Sequence, residues 1–341
     1  MKNLRIATPA FKSMRVLILF IFGLAALFAG IILIDKNATG IRAQSALKTI
    51  TGEWNAEFKS DKPNEIYFMF QRRNEKGGFN MTSDNLPISE LQGLAANALN
   101  SSKTNVSFSL VREAGTFVCE GFFSAGKGAG VWTLTPSQKF ISEMRSRGYD
   151  NLSEEDLLSA AINNLTTKFA DELKNAGYDR LTFEELRRAR THDVDAAYIR
   201  EMKSADFENL EMEELIRARN HEIDNQYIQE VKAMGFENQP LETLIRMRNH
   251  DINSAFFNEM KAAGFENLSI EELIRLRNHD ITVAFVNEIK AEGYTEVAAE
   301  TAISLKNHDV DRDFIRRAKA QGYANASLEE LIRLSTKGLI K

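Results

Sequence analysis

The histidines of this chain, His192, His221, His250, His279 and His308, stand 29 residues apart, and two further series keep the same step. One is aromatic: Phe140, Phe169, Tyr198, Tyr227, Phe256, Phe285 and Phe314. The other is Gly148, Gly177, Gly235, Gly264, Gly293 and Gly322, interrupted only by Asp206. A single period thus organises the C-terminal half. Such periods mark stacked supersecondary units, none of which buries its apolar face alone. The pattern favours a binding surface over an active site.

Glu266 to Tyr294 is the clearest copy. Ser269 with Glu272 is a capping box that starts a helix A, on which Ile270, Leu273, Ile274 and Leu276 share one face. Helix A ends near Asn278-His279, and helix B runs from about Thr282 to Glu292 with Phe285, Val286 and Ile289 buried. Gly293 suits the left-handed position after it, and Tyr294 supplies the following hydrophobic contact. The unit is an antiparallel helical hairpin. Units begin near Tyr149, Tyr178, Phe207, Phe236, Phe265 and Tyr294, with a half unit from Tyr323. Ser137 to Arg147 already supplies a helix B. Residues 137–341 therefore read as an α-solenoid of about six and a half repeats, with Asn163 and Lys337 at the histidine position of the end copies.

The histidine row invites a metal reading, which geometry excludes. Stacked helices lie about 8–10 Å apart, whereas zinc–nitrogen bonds are about 2.0–2.1 Å. A histidine in the last turn of helix A instead serves free carbonyls and the negative end of the helix dipole. His221-Glu222 begins a zinc-peptidase motif, but its fifth position is Asn225. We expect no metal and no cofactor.

Two arginine rows differ in phase. Arg188, Arg217, Arg246, Arg275 and Arg333 point away from the apolar face, and each follows a glutamate (Glu184, Glu213, Glu242, Glu271, Glu329) by four residues, the spacing of an intrahelical ion pair. This exposed strip is the candidate surface for an acidic partner. Arg190, Arg219, Arg248 and Arg277, continued by Lys306, fall within the apolar arc and need partners there. Bridges to Glu201, Glu230, Glu259 and Glu288 of the neighbouring helices are the expected answer.

Val16 to Ile34 is an uninterrupted apolar run long enough to span a bilayer. Lys2, Arg5, Lys12 and Arg15 precede it, so residues 1–15 stay cytosolic and the remainder is exported. The run is either a transmembrane anchor or a signal peptide cleaved after Ala43. Residues 44–136 follow another grammar. Strand-like runs at Glu53–Phe58, Ile66–Gln71, Phe79–Thr82, Val106–Val111, Thr116–Phe123 and Val131–Thr135 predict an antiparallel β domain of six to eight strands, a small sandwich or barrel, with a short helix over Ser89–Leu99. Gly126-Lys127-Gly128 lacks the spacing of a phosphate loop and reads as a hairpin. The lone Cys119 reads as a small buried apolar residue.

A net charge of −5 and an exported location argue against nucleic-acid binding, and the sequence contains no complete catalytic constellation. The units, as in Leu268-Ser-Ile-Glu-Glu-Leu-Ile-Arg-Leu-Arg-Asn-His-Asp-Ile281, resemble helical repeats attached to bacterial antirepressor-type membrane metallopeptidases related to beta-lactam sensors. The segment Val111-Arg-Glu-Ala-Gly-Thr-Phe117 through Gly128-Ala-Gly-Val-Trp132 resembles the β-rich region preceding those repeats. The chain lacks that family's peptidase domain and zinc motif, so proteolysis is not implied. The resemblance implies a bacterial envelope protein in sensing or regulation. The expectation is a protein-interaction scaffold, single-pass in the inner membrane with a periplasmic bulk, that binds another envelope protein. The alternative is an auxiliary sensor that binds a small ligand in the β domain and signals through the solenoid.

Overall fold

The computed structural model describes residues 48–73 and 79–340. The basic segment 1–15 and the apolar run 16–34 lie outside them. No helix among the described residues is long and apolar enough to cross a membrane.

Alternation of buried and exposed side chains builds seven strands: β1 (Ile50–Glu57), β2 (Glu65–Arg73), β3 (Phe79–Pro87), β4 (Leu91–Gln92), β5 (Thr104–Arg112), β6 (Gly115–Ser124) and β7 (Lys127–Pro136). They form one curled antiparallel sheet in the order β3-β2-β1-β7-β6-β5-β4. Among the described residues β3 pairs with β2 alone and the two-residue β4 with β5 alone, so the expected β domain takes the form of an open, curled sheet and not of a sandwich or a barrel with its edges joined. The expected Ser89–Leu99 helix is likewise broken up. A 3-10 turn at Ile88–Glu90 leads into β4, and only α1 (Ala96–Leu99) is helical. The glycine hairpin forms as expected, with Ala125 and Gly126 at positive φ (48° and 80°) between paired Ser124 and Lys127.

Trp54, Phe68, Phe108 and Phe123 pack with ring centroids 5.4–6.1 Å apart, and Phe70, Phe117 and Trp132 extend the cluster. The indoles pack close to glycine backbone, Trp132 at Gly52 and Trp54 at Gly121, Gly128 and Gly130. A Cβ on Gly130 would stand 2.7 Å from Trp54 Nε1 and 2.0 Å from the Glu120 carbonyl oxygen. Each indole N–H still finds acceptors: Trp54 donates to the carbonyls of Val131 (3.1 Å) and Glu120 (3.2 Å), and Trp132 to that of Glu53 (2.9 Å). Cys119 is buried in this sheet, and burial pushes its thiol up to about 12.

Helices of nine residues follow. The A helices are α3 (Glu154–Ile162), α5 (Phe183–Thr191), α7 (Met212–Asn220), α9 (Leu241–Asn249), α11 (Ile270–Asn278), α13 (Ala299–Asn307) and α15 (Leu328–Thr336). The B helices are α2 (Gln138–Ser146), α4 (Thr167–Asn175), α6 (Ala196–Ser204), α8 (Asn225–Ala233), α10 (Ser254–Ala262), α12 (Val283–Ala291) and α14 (Arg312–Ala320). The capping box at Ser269 and Glu272 is present, His279 is the C-cap of α11, and Gly293 has φ 102°. Asp206, standing where other repeats have glycine, takes φ 75° and accepts from Lys232 at 2.7 Å.

One continuous apolar core runs from Ile50 in the sheet to Leu334 in α15. Polar contacts fasten the sheet to the first repeat. Arg72 of β2 donates to Glu154 of α3 at 3.0 Å, and Glu113, in the β5–β6 turn, accepts from Thr167 Oγ1 at 2.6 Å.

Candidate functional site

The exposed arginines do not make the expected bridges along their own helices. Four of the five reach the glutamate of the next A helix, 25 residues on. Arg188 donates to Glu213 (2.9 Å), Arg217 to Glu242 (2.6 Å), Arg246 to Glu271 (2.6 Å) and Arg275 to Glu300 (2.6 Å). The stagger between successive A helices brings a first-turn glutamate beside the preceding helix's last-turn arginine, so the pair also suits both helix dipoles. The Arg188 hydrogen bond holds the Glu213 carboxyl below its ordinary range. These four arginine side chains stay 37–48% exposed. The strip is therefore an alternating ladder of cations and anions, not a purely basic one. Arg333 of α15 acts on Glu329 of its own helix, the smallest of the influences lowering that carboxyl.

The second arginine row also differs from expectation. None of the bridges to Glu201, Glu230, Glu259 or Glu288 is present among the described residues. The cations lie instead over the aromatic rings of the preceding B helices: Arg190 over Phe169, Arg219 over Tyr198 (4.8 Å), Arg248 over Tyr227 (4.6 Å), Arg277 over Phe256 (4.9 Å) and Lys306 over Phe285 (5.2 Å). A ring face accepts a guanidinium without a buried carboxylate. Arg190 and Arg248 are about a third exposed and carry a second, looser contact to Asp193 and Glu222. Glu201 and Glu230 serve helix starts, accepting the backbone N–H of Asn225 (2.9 Å) and Ser254 (2.6 Å).

The histidines sit at the C-caps of the A helices, but their rings look outward to the next repeat. His192, His221, His250 and His279 direct Nδ1 to the side-chain oxygens of Asn220, Asn249, Asn278 and Asn307 at 2.7–2.8 Å. An amide oxygen only accepts, so this pairing calls for the tautomer with the proton on Nδ1. The expected bond to a carbonyl of its own helix survives only at His308, which meets the Ser304 oxygen at 2.8 Å. The reason is local: the next repeat offers Thr336 where an asparagine would stand. Among the described residues no group of three or more His, Cys, Asp or Glu is placed to hold a metal.

A cleft of about 450 Å³ opens where β2 and β3 meet α3 and α5. The buried rings of Phe70 and Trp132 close its floor. Arg72, Glu155, Asp156, Glu184 and Arg187 carry charge into it, Asp156 being engaged in the α3 capping box with Ser153, and Ser159 and Asn163 add neutral polar groups. Arg72 is shared by Glu154 and Glu155, at 3.0 and 3.7 Å. Arg187 is held by Glu184 of its own helix through Nε at 3.0 Å. The Arg72 hydrogen bond lowers the Glu154 carboxyl. Periodicity did not point to this place, although one signal was available: Arg187 occupies a position that reads Leu158, Ile216, Ile245, Ile274, Ile303 and Ile332 in the other units.

The chain matches no family model, curated protein or solved structure. Function is accordingly read from these surfaces.

Proposed function

We propose that the protein is a membrane-anchored, extracytoplasmic scaffold whose A-helix ladder binds another envelope protein. The observation that carries this reading is the ladder itself, with the same half-exposed guanidinium–carboxylate pair repeated on consecutive A helices. Arg217 and Arg246 each engage glutamate through one terminal nitrogen, leaving donors for an acidic partner. Fixed alternating charge favours selectivity and register over raw affinity. The apolar run with its basic flank, and the resemblance to envelope sensor repeats, support the location.

Capture from solubilised membranes tests the surface. Full-length protein carrying Arg217, Arg246 and Arg275 all changed to glutamine is expected to lose its partner, and undiminished capture would place the binding surface elsewhere. For the location, a reporter active only outside the cytosol should be active when fused after Lys341. Cytosolic activity would overturn it.

A second reading, an auxiliary sensor of a small ligand, is favoured by the junction cleft. Its volume lies within the range of small-molecule sites, about 300–1,000 Å³. The β domain itself is filled with aromatic rings, which moves the expected ligand position to its border with the repeats.

A further inference from the structure

The repeats serve as their own control, because each position is written several times. Around the cleft two adjacent repeats depart from that pattern together. Where Arg188, Arg217, Arg246 and Arg275 supply guanidiniums to the ladder, the first unit has Ser159. A rung from that position would claim Glu184, 25 residues later, as the other rungs claim Glu213, Glu242, Glu271 and Glu300. With serine there, Glu184 is left to α5, and Arg187 takes it from the position where the other units pack isoleucine or leucine against the core. One guanidinium is thus removed from the outer ladder and one is introduced into the cleft. Ser304 makes the first change elsewhere without the second, since the next unit keeps Ile332. Only at the sheet border do both changes coincide with a cavity lined by charges of both signs.

We infer that this cleft binds a small zwitterion of amino-acid or short-peptide chemistry, with the ligand carboxylate on Arg187 and its ammonium among Glu184 and Glu155. The inference rests on the sensor reading above and is independent of partner capture by the ladder. Its exchange of partners conserves charge. The Glu184 side chain is 58% exposed, so its pair with Arg187 is screened and readily displaced by a bidentate ligand carboxylate. Once released, Glu184 joins Glu155, which keeps its 3.7 Å contact with Arg72, as a counter-charge for the ammonium. Arg72 stays with Glu154 and holds the wall.

The probes are free amino acids and short peptides with free termini, each paired with its N-acetylated and C-amidated form, added to the full-length chain in detergent. Melting temperature and calorimetry are read. At least one free zwitterion is expected to bind, and blocking either end should weaken it by about tenfold, the equivalent of one charge-assisted hydrogen bond. Arg187→Ile restores the repeat pattern, so it should melt no lower than the parent while losing the ligand response. Ser159→Arg, which rebuilds the missing rung to Glu184, should weaken binding as well and serves if the first variant folds poorly. Binding of blocked and free forms alike would overturn the zwitterion assignment and leave a cleft ligand of another class. Binding undiminished in both variants, or no response to any probe, would overturn the site itself.

Discussion

Glu222 stands in the left-handed region, φ 54°, at a position that Asp193, Asp251, Asp280 and Asp309 fill in the other histidine-bearing units. Short polar side chains tolerate this region because they bond to nearby backbone, an advantage that a longer chain loses. Glu222→Asn should therefore raise stability by about 0.5–1 kcal/mol, read by denaturant unfolding. A loss instead would mean that the exposed contact with Arg248 outweighs the backbone strain. Gly130 shows the opposite constraint. Alanine there meets Glu120 and the Trp54 indole, and should cost about 1–3 kcal/mol. The arginines show how far single residues could be read from sequence. Helical phase separated the two rows by the kind of partner and not by burial, since Arg219 and Lys306 are exposed while Arg188 and Arg275 are only partly so. It could not distinguish a carboxylate from a ring as the partner of Arg248. A double-mutant cycle of Arg248→Ala with Tyr227→Leu is expected to give a coupling of about 0.5–1 kcal/mol. Zero coupling would return the role to Glu222.

At the scale of elements, what depends on neighbours in sequence was legible. The capping box at Ser269, the A-helix end at His279 and the glycine after α12 follow from residues within a few positions of one another. Contacts that span 25 or 28 residues were not, since they depend on the stagger between helices, which no intrahelical spacing encodes. For the same reason Glu213, Glu242 and Glu271, four residues before their arginines, were a misleading guide: they serve the preceding helix. The sheet was legible as strands, whereas its single-layer curl depends on which edges remain unpaired. The His250–Asn278 bridge gives a test at this scale. His250→Ala and Asn278→Ala should each lower stability by about 0.5–1.5 kcal/mol, and the double variant by little more than either. Strict additivity would show that the two side chains act separately.

Over the whole molecule the carboxylates respond to acid together. Hydrogen bonds from Arg188, Arg72 and Arg147 lower Glu213, Glu154 and Asp171, and capping bonds lower Glu185 and Glu272. Their folded values lie below the unfolded ones. The stability they contribute is thus complete above the unfolded range, about pH 4, and disappears as pH falls through the lowered values. Melting temperature should hold between neutrality and about pH 5 and then drop. Glu213→Gln should start lower and fall less steeply, and identical acid profiles would remove that pair from the account. Connectivity sets a second property of the whole. Every rung joins only adjacent repeats, and among the described residues the sheet is fastened to the first repeat by Arg72 and Glu113, while the Arg147–Asp171 pair joins the end of α2 to α4. Such a chain of nearest-neighbour bonds opens most readily at the repeats farthest from the sheet. Hydrogen exchange should be fastest around α15 and slow toward α3, and a force applied at the C-terminus should peel the hairpins off in sequence, each rupture releasing one 29-residue length of chain while the sheet stays folded.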